Sequence, residues 1–210
     1  QSVSEDFLTS LQRAYAGDSV FADALNTAMG GVRMSGRKAP TGDNMNQTAK
    51  AVAELLTRAD GPRIAVMESQ GWDTHFKQDV RLKSMLQQVS EAVVTLKDGL
   101  GPVWDDTAVI IVSEFGRTAA ENGNRGTDHG TGGIAMLAGG QVRGGQIAGQ
   151  WPGLSSRSLY EGRDLAAVND YESLFKGVLM SHLGMDEGAV ERDIFPGSGA
   201  KQPMDGLFRV

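Results

Sequence analysis

The chain has 210 residues, 40% of them apolar and 22% charged, a composition that belongs to a folded globular protein and argues against disorder. A net charge of −6 argues against a nucleic-acid-binding role, which calls for a basic patch, and no apolar run approaches the roughly twenty residues that span a bilayer. With no cysteine, disulfides, thiolate zinc sites and thiol catalysis are excluded, so any metal must be held by His, Asp, Glu and water, and histidine occurs only at 75, 129 and 182.

In chain order, residues 1–60 read as helices. Ser2 with Glu5 three residues on has the form of a capping box, and Phe7, Leu8, Leu11 and Tyr15 recur at helical spacing before Gly17. Asp18 opens a second helix through Phe21, Leu25 and Met29, which the Gly30-Gly31 pair ends. A basic, glycine-containing loop runs from Val32 to Asp43. Met45, Ala49, Val52, Leu55 and Leu56 then predict an amphipathic helix over about Asn44 to Ala59, stopped by Asp60-Gly61-Pro62.

The texture changes at Arg63. Ile64 to Met67 is a short apolar run that predicts a buried strand leading into Gly71-Trp72-Asp73-Thr74-His75. Leu82, Met85, Leu86, Val89, Val93, Leu96 and Leu100 follow helical spacing up to Gly101-Pro102. Thr107 to Val112 is almost continuously β-branched, which predicts a strand buried on both faces, as in a parallel sheet; strand, helix, strand makes a βαβ unit. After the polar, glycine-rich loop Ser113 to Gly133, Ile134 to Ala138 predicts a further short strand. Tyr171, Leu174, Phe175, Val178, Leu179 and Leu183 predict a last helix before a Gly- and Pro-containing tail. No repeat or linker divides the chain, so a single domain is expected: a helical segment 1–60, an α/β core 61–196 and a tail 197–210.

In open α/β sheets ligands bind beyond the carboxyl ends of the strands. Two polar clusters fall there: Asp73 and His75 after the first strand, and Glu114, Arg117, Asn122, Asp128 and His129 after the second. Taken alone, Asp-x-His reads more readily as a hydrogen-bonded turn than as a ligand pair. The joint placement of two histidines, each beside carboxylates, favours zinc, manganese or another hydrolytic divalent ion. His182 lies near a helix C-terminus and reads as structural. No Gly-x-Gly-x-x-Gly opens a helix, and neither Ser69 nor Ser113 sits in a nucleophile elbow. Trp72 and Trp151 read as packing residues before cleft residues.

The order "GWDTH", "SEFGRT", "N-x-N-x-G-T-D-H-G-x-G-G", the paired glycines at 139–140 and 144–145, and Ile194-Phe195-Pro196 resembles the bacterial family called domain of unknown function 1501, over roughly Arg63 to Pro196. That family is similar to the alkaline phosphatase and sulfatase superfamily. The resemblance implies a three-layer α/β/α sandwich with a mostly parallel sheet and a metal-dependent hydrolase of small phosphate or sulfate esters. It implies zinc first, then manganese or calcium, with Asp73, His75 and His129 as ligands and Glu114 at a second ion. Asp128 would be a further ligand or would orient His129, and Arg117 and Asn122 would contact the anionic group. Phe115 stands where the superfamily has a histidine ligand, and an aromatic hydrocarbon cannot coordinate, so a single ion or a differently built pair is expected. Residues 1–60 show no counterpart of the superfamily's nucleophile, which implies that the chain is the C-terminal part of a longer protein, and the frequent export of family members implies a periplasmic or otherwise exported location. The rival expectation is a non-catalytic binding or structural protein that kept the fold, with residues 130–149 and Trp151 as a face for a glycan or a partner protein. A third, an interaction module built on residues 1–60, has only generic amphipathicity behind it.

Overall fold

A computed structural model describes residues 45–209; the expected helices beginning near Ser2 and Asp18, and the loop after them, lie outside the described residues. The described part begins with helix α1, Met45–Leu56, followed by the long helix α2, Gln78–Leu100, and a 3-10 turn, Gly101–Asp106. Strands β1, Ala108–Ile111, β2, Gly116–Arg117, β3, His129–Gly130, and β4, Met136–Gly139, come next. Helix α3, Tyr171–Ser181, precedes one helical turn, Glu187–Ala189, that continues as a π-helical turn, Val190–Ile194.

The described residues group into two compact units. One comprises 45–70 and Gln87–Gly101; the other comprises Gly71–Leu86 and 102–209. In the first, α1 buries Ala49 and Ala53, and the same turns of α2 that bury Val89, Ala92, Leu96 and Leu100 carry Gly99. A Cβ on Gly99 would lie 2.8 Å from the Ala53 Cβ, so small residues on both helices permit their close approach. Asn46 ties the pair at its polar margin by donating to Glu91 Oε2 at 3.2 Å.

In the second unit, β1 and β4 pair antiparallel, Ala108 opposite Gly139 and Ile111 opposite Met136. The alternate residues Ala108 and Ile110, with Leu137, pack on a core of Val142, Leu174, Val178, Leu207 and Phe208. Helix α3 supplies two of these residues and is started by Asp170, whose carboxylate accepts from Ser173 N. His182 closes the same helix and stacks on Phe208 with ring centroids 5.0 Å apart, a packing role as expected.

Two expectations change. Residues 64–67 form no ladder; Ile64 is 70% and Val66 88% exposed, because a strand needs a neighbour for its backbone groups and none pairs with it among the described residues. The run around Val109 is a strand, but half-buried and antiparallel, its partner arriving from the far side of the glycine-rich loop. No βαβ unit is therefore formed among the described residues, whose two sheets are two-stranded and antiparallel. Nor, among them, is any helix long and apolar enough to cross a membrane.

Candidate metal centre

The site lies in the second unit, where residues 71–79 meet the loop between β2 and β3. Residues 73–75 carry no helix, and Thr74 is buried at 1% exposure while Asp73 and His75 on either side of it remain accessible. The D-x-H spacing thus sets both polar side chains away from the interior. On the facing loop, the antiparallel pairing of β2 with β3 puts Arg117 opposite His129 and Gly116 opposite Gly130. That register is what presents His129 to residues more than fifty positions earlier.

The loop is sewn to residues 74–79 largely by its backbone. Lys77 N donates to Asn124 O and Gln78 N to Arg125 O, which satisfies the first amide groups of α2. Thr127 Oγ1 donates to Gln78 Oε1 at 2.8 Å, and Arg125 pairs with Asp79. Asn122 donates to His75 O at 3.1 Å and to Asp128 Oδ1 at 3.0 Å, while its own Oδ1 accepts from Asn124 N and Gly126 N. Gly126 is required here: a Cβ at that position would fall 2.3 Å from the His75 carbonyl carbon and oxygen.

Three donor groups converge. Asp73, His75 and His129 each offer a ligand atom, all within 4.8 Å of one another. Both imidazole Nε2 atoms lie 2.8 Å from the single oxygen Asp73 Oδ1. Behind His75, its Nδ1 lies 2.9 Å from Asp128 Oδ1; an ionised carboxylate only accepts, so Nδ1 carries a proton, and a cation bound at Nε2 would take the place of the proton that Nε2 shares with Asp73. An imidazole backed in this way by a carboxylate has the form of a metal-ligating histidine with its orienting partner. Donors around tetrahedral zinc stand about 2.0–2.1 Å from the ion and hence roughly 3.3 Å apart, so each imidazole nitrogen would move away from Asp73 Oδ1 by about half an ångström.

Electrostatics favour charged carboxylates. Asp73 is held below its ordinary value by the hydrogen bond from His129, with further help from the neighbouring charges of His75, His129 and Arg117. Asp128 is held down first by the hydrogen bond from Asn122 and then by that from His75. Both are thus disposed to be anionic, the form that binds a cation.

The remaining expected residues fall outside the cluster. Asp128 orients His75, not His129. Glu114 is exposed and has no hydrogen bond or ion pair among the described residues, nor does it join the three donors. Arg117 donates from Nη1 to Thr127 O at 2.8 Å and from Nη2 to Trp72 O, with Asp73 Oδ1 at 3.5 Å, so its fork braces the site from within the protein. Asn122 likewise directs its amide into the protein, to His75 O and Asp128 Oδ1. Phe115, seen in the sequence only as a residue that cannot coordinate, stacks on His129 with centroids 4.4 Å apart and planes 10° apart. The Arg117 guanidinium lies 4.7 Å from the Phe115 ring centre.

Comparison with curated proteins and with solved structures gave no match. Residues 9–195, most of the chain, match the family described as protein of unknown function (DUF1501), and the chain belongs to that family.

Proposed function

We propose that the chain carries the metal-holding part of a divalent-metal-dependent hydrolase of small phosphate or sulfate esters, within an alkaline phosphatase-like α/β/α architecture. The observation that carries this reading is the convergence of Asp73, His75 and His129, with Asp128 behind His75. Two imidazoles and a carboxylate without thiolate suit zinc first, then manganese; calcium, which prefers oxygen ligands, fits less well. Bound there, such an ion would supply Lewis-acid polarisation of an ester oxygen. The protein's own groups hold and aim the donors: Asp128 fixes the His75 tautomer, Asn122 fixes Asp128, and Arg117 ties Trp72 and Thr127 together beside Asp73. Exposed on the loop after β1, Glu114 is free to meet a second ion or solvent. A periplasmic or otherwise exported location belongs to the same proposal and rests on the sequence resemblance alone.

A second reading has its own observation. Arg117 and Asn122, expected to grip the anionic group, direct their hydrogen bonds to the protein, which favours a metal-binding protein without turnover. Elemental analysis of the purified chain, melting with and without chelator, and an ester panel separate the two. Stoichiometric zinc or manganese, a melting temperature lowered by chelation, and ester hydrolysis that His129→Ala abolishes would support the hydrolase. Metal without turnover in any longer parent protein would support the binding protein. A metal-free chain that neither gains metal on incubation nor changes its melting temperature would overturn both.

A further inference from the structure

We propose that Phe115 is a positioning residue that sets the plane of the His129 imidazole, so that Nε2 points at Asp73 and His75; the inference deepens the metal-site reading above and rests on it for its functional meaning. His129 lacks what His75 has. The Nδ1 of His75 is held by Asp128, whereas the only side-chain hydrogen bond of His129 among the described residues runs from Nε2 to Asp73, the direction in which a ligand would sit. An imidazole attached at one edge alone can still rotate about that bond, and a ligating histidine needs a second restraint.

Phe115 supplies that restraint through its face. The two rings are nearly parallel, 10° apart with centroids at 4.4 Å, an offset-stack separation that limits rotation out of the common plane. The phenyl ring is itself fixed. Arg117 lies over it at 4.7 Å, and the guanidinium is anchored to Thr127 O and Trp72 O. The main chain of Phe115 is anchored as well, since Ser113 Oγ donates to its carbonyl at 3.1 Å and Tyr171 Oη of α3 donates to Ser113 O at 2.8 Å. Guanidinium, phenyl and imidazole thus share a strand-paired neighbourhood in which Arg117 stands opposite His129. An orienting carboxylate is replaced by an aromatic plate, which adds no negative charge to the centre.

The test uses the full chain as wild type, Phe115→Leu, Phe115→Tyr and His129→Ala, with Phe115→Met in place of the leucine variant if that one fails to fold by circular dichroism. Two readouts are taken. The first is the imidazole proton and nitrogen spectrum without metal, in which the His129 ring resonances feel the phenyl ring current. The second is zinc affinity by competition titration. The expected result is that Phe115→Leu moves the His129 ring resonances and leaves those of His182 in place. With it, zinc binding should weaken by about tenfold or more, while Phe115→Tyr stays within about threefold of wild type. His129 resonances unmoved in Phe115→Leu, or zinc binding equal to wild type in that variant, would overturn the proposal. If wild type and His129→Ala bind zinc alike, the metal-site reading fails by itself, and the solvent-protected His129 Nε2 proton then decides whether Phe115 orients the ring: kept in Phe115→Tyr and lost in Phe115→Leu it supports the orienting role, and kept in both it overturns it.

Discussion

A single hydrogen on Gly126, in place of a side chain, lets the loop lie against the main chain of His75. With a Cβ predicted 2.3 Å from the His75 carbonyl and 2.6 Å from Thr74 O, backbone must move on one side or the other. Gly126→Ala is therefore expected to destabilise the chain by roughly 1–3 kcal/mol, the usual range for forced overpacking, and to weaken metal binding along with it. Urea unfolding and zinc titration check both; unchanged values would show that the loop is not pressed on His75. At this scale the sequence was readable where side-chain chemistry is rare. Three histidines and no cysteine left few constellations, and the two polar clusters after apolar runs held Asp73, His75 and His129 among other candidates; the choice of those three as ligands came from the family resemblance. The roles of Arg117, Asn122 and Asp128 were not readable. Each depends on which carbonyl or imidazole lies opposite in space, and the preference of a guanidinium for an anion does not say that two backbone carbonyls will occupy it first.

Helix α3 is held by a buried charge as well as by the apolar contacts of Leu174 and Val178. Lys176 is completely buried, and its ammonium donates to Glu191 Oε1 at 2.8 Å and to Ser198 O and Lys201 O at 2.9 Å each. Three donors meet three acceptors, so α3, the π-helical turn and the segment after it are fastened at one point. Removing one partner of a buried ion pair costs about 3–5 kcal/mol, and Glu191, being partly exposed, can rehydrate. Lys176→Met should then lose about 3 kcal/mol in urea unfolding, and a loss below about 1 kcal/mol would show that the carbonyls find other donors. Helical periodicity revealed α1, α2 and α3 because amphipathic spacing is a local property. Strand pairing is not local. Thr107 to Val112 was legible as a strand, but nothing in its own residues indicates that its partner is Met136–Gly139, antiparallel, or that Ile64 to Met67 has no partner among the described residues.

For the molecule as a whole, acidity is the dominant electrostatic fact: 26 acidic residues face 20 Lys and Arg, and several carboxylates are specifically paired. Besides Asp73 and Asp128, Asp164 is held below its ordinary value, chiefly by the hydrogen bond from Arg163 and further by that from Thr131. It is nearly buried at 4% exposure and sits where 118, 160 and 164 pair through isolated bridges, so it joins the β2 strand to the later loop. A carboxyl depressed on folding binds its proton more readily in the unfolded chain, near the unperturbed value of about 3.9. Its contribution is present in full above that value and is lost as pH falls through the folded value below it. Stability should accordingly be level near neutrality and fall as the pH drops below about 4. Asp164→Asn should melt lower than wild type at pH 7 and lose less on acidification, since one of the linked protons is gone. Some acid sensitivity should persist in the variant because Asp73 and Asp128 are shifted in the same direction. Melting temperatures measured from pH 7 to pH 3 decide the matter: a variant that matches wild type at pH 7 and follows the same acid slope would show that the Arg163 pairing adds no net stability.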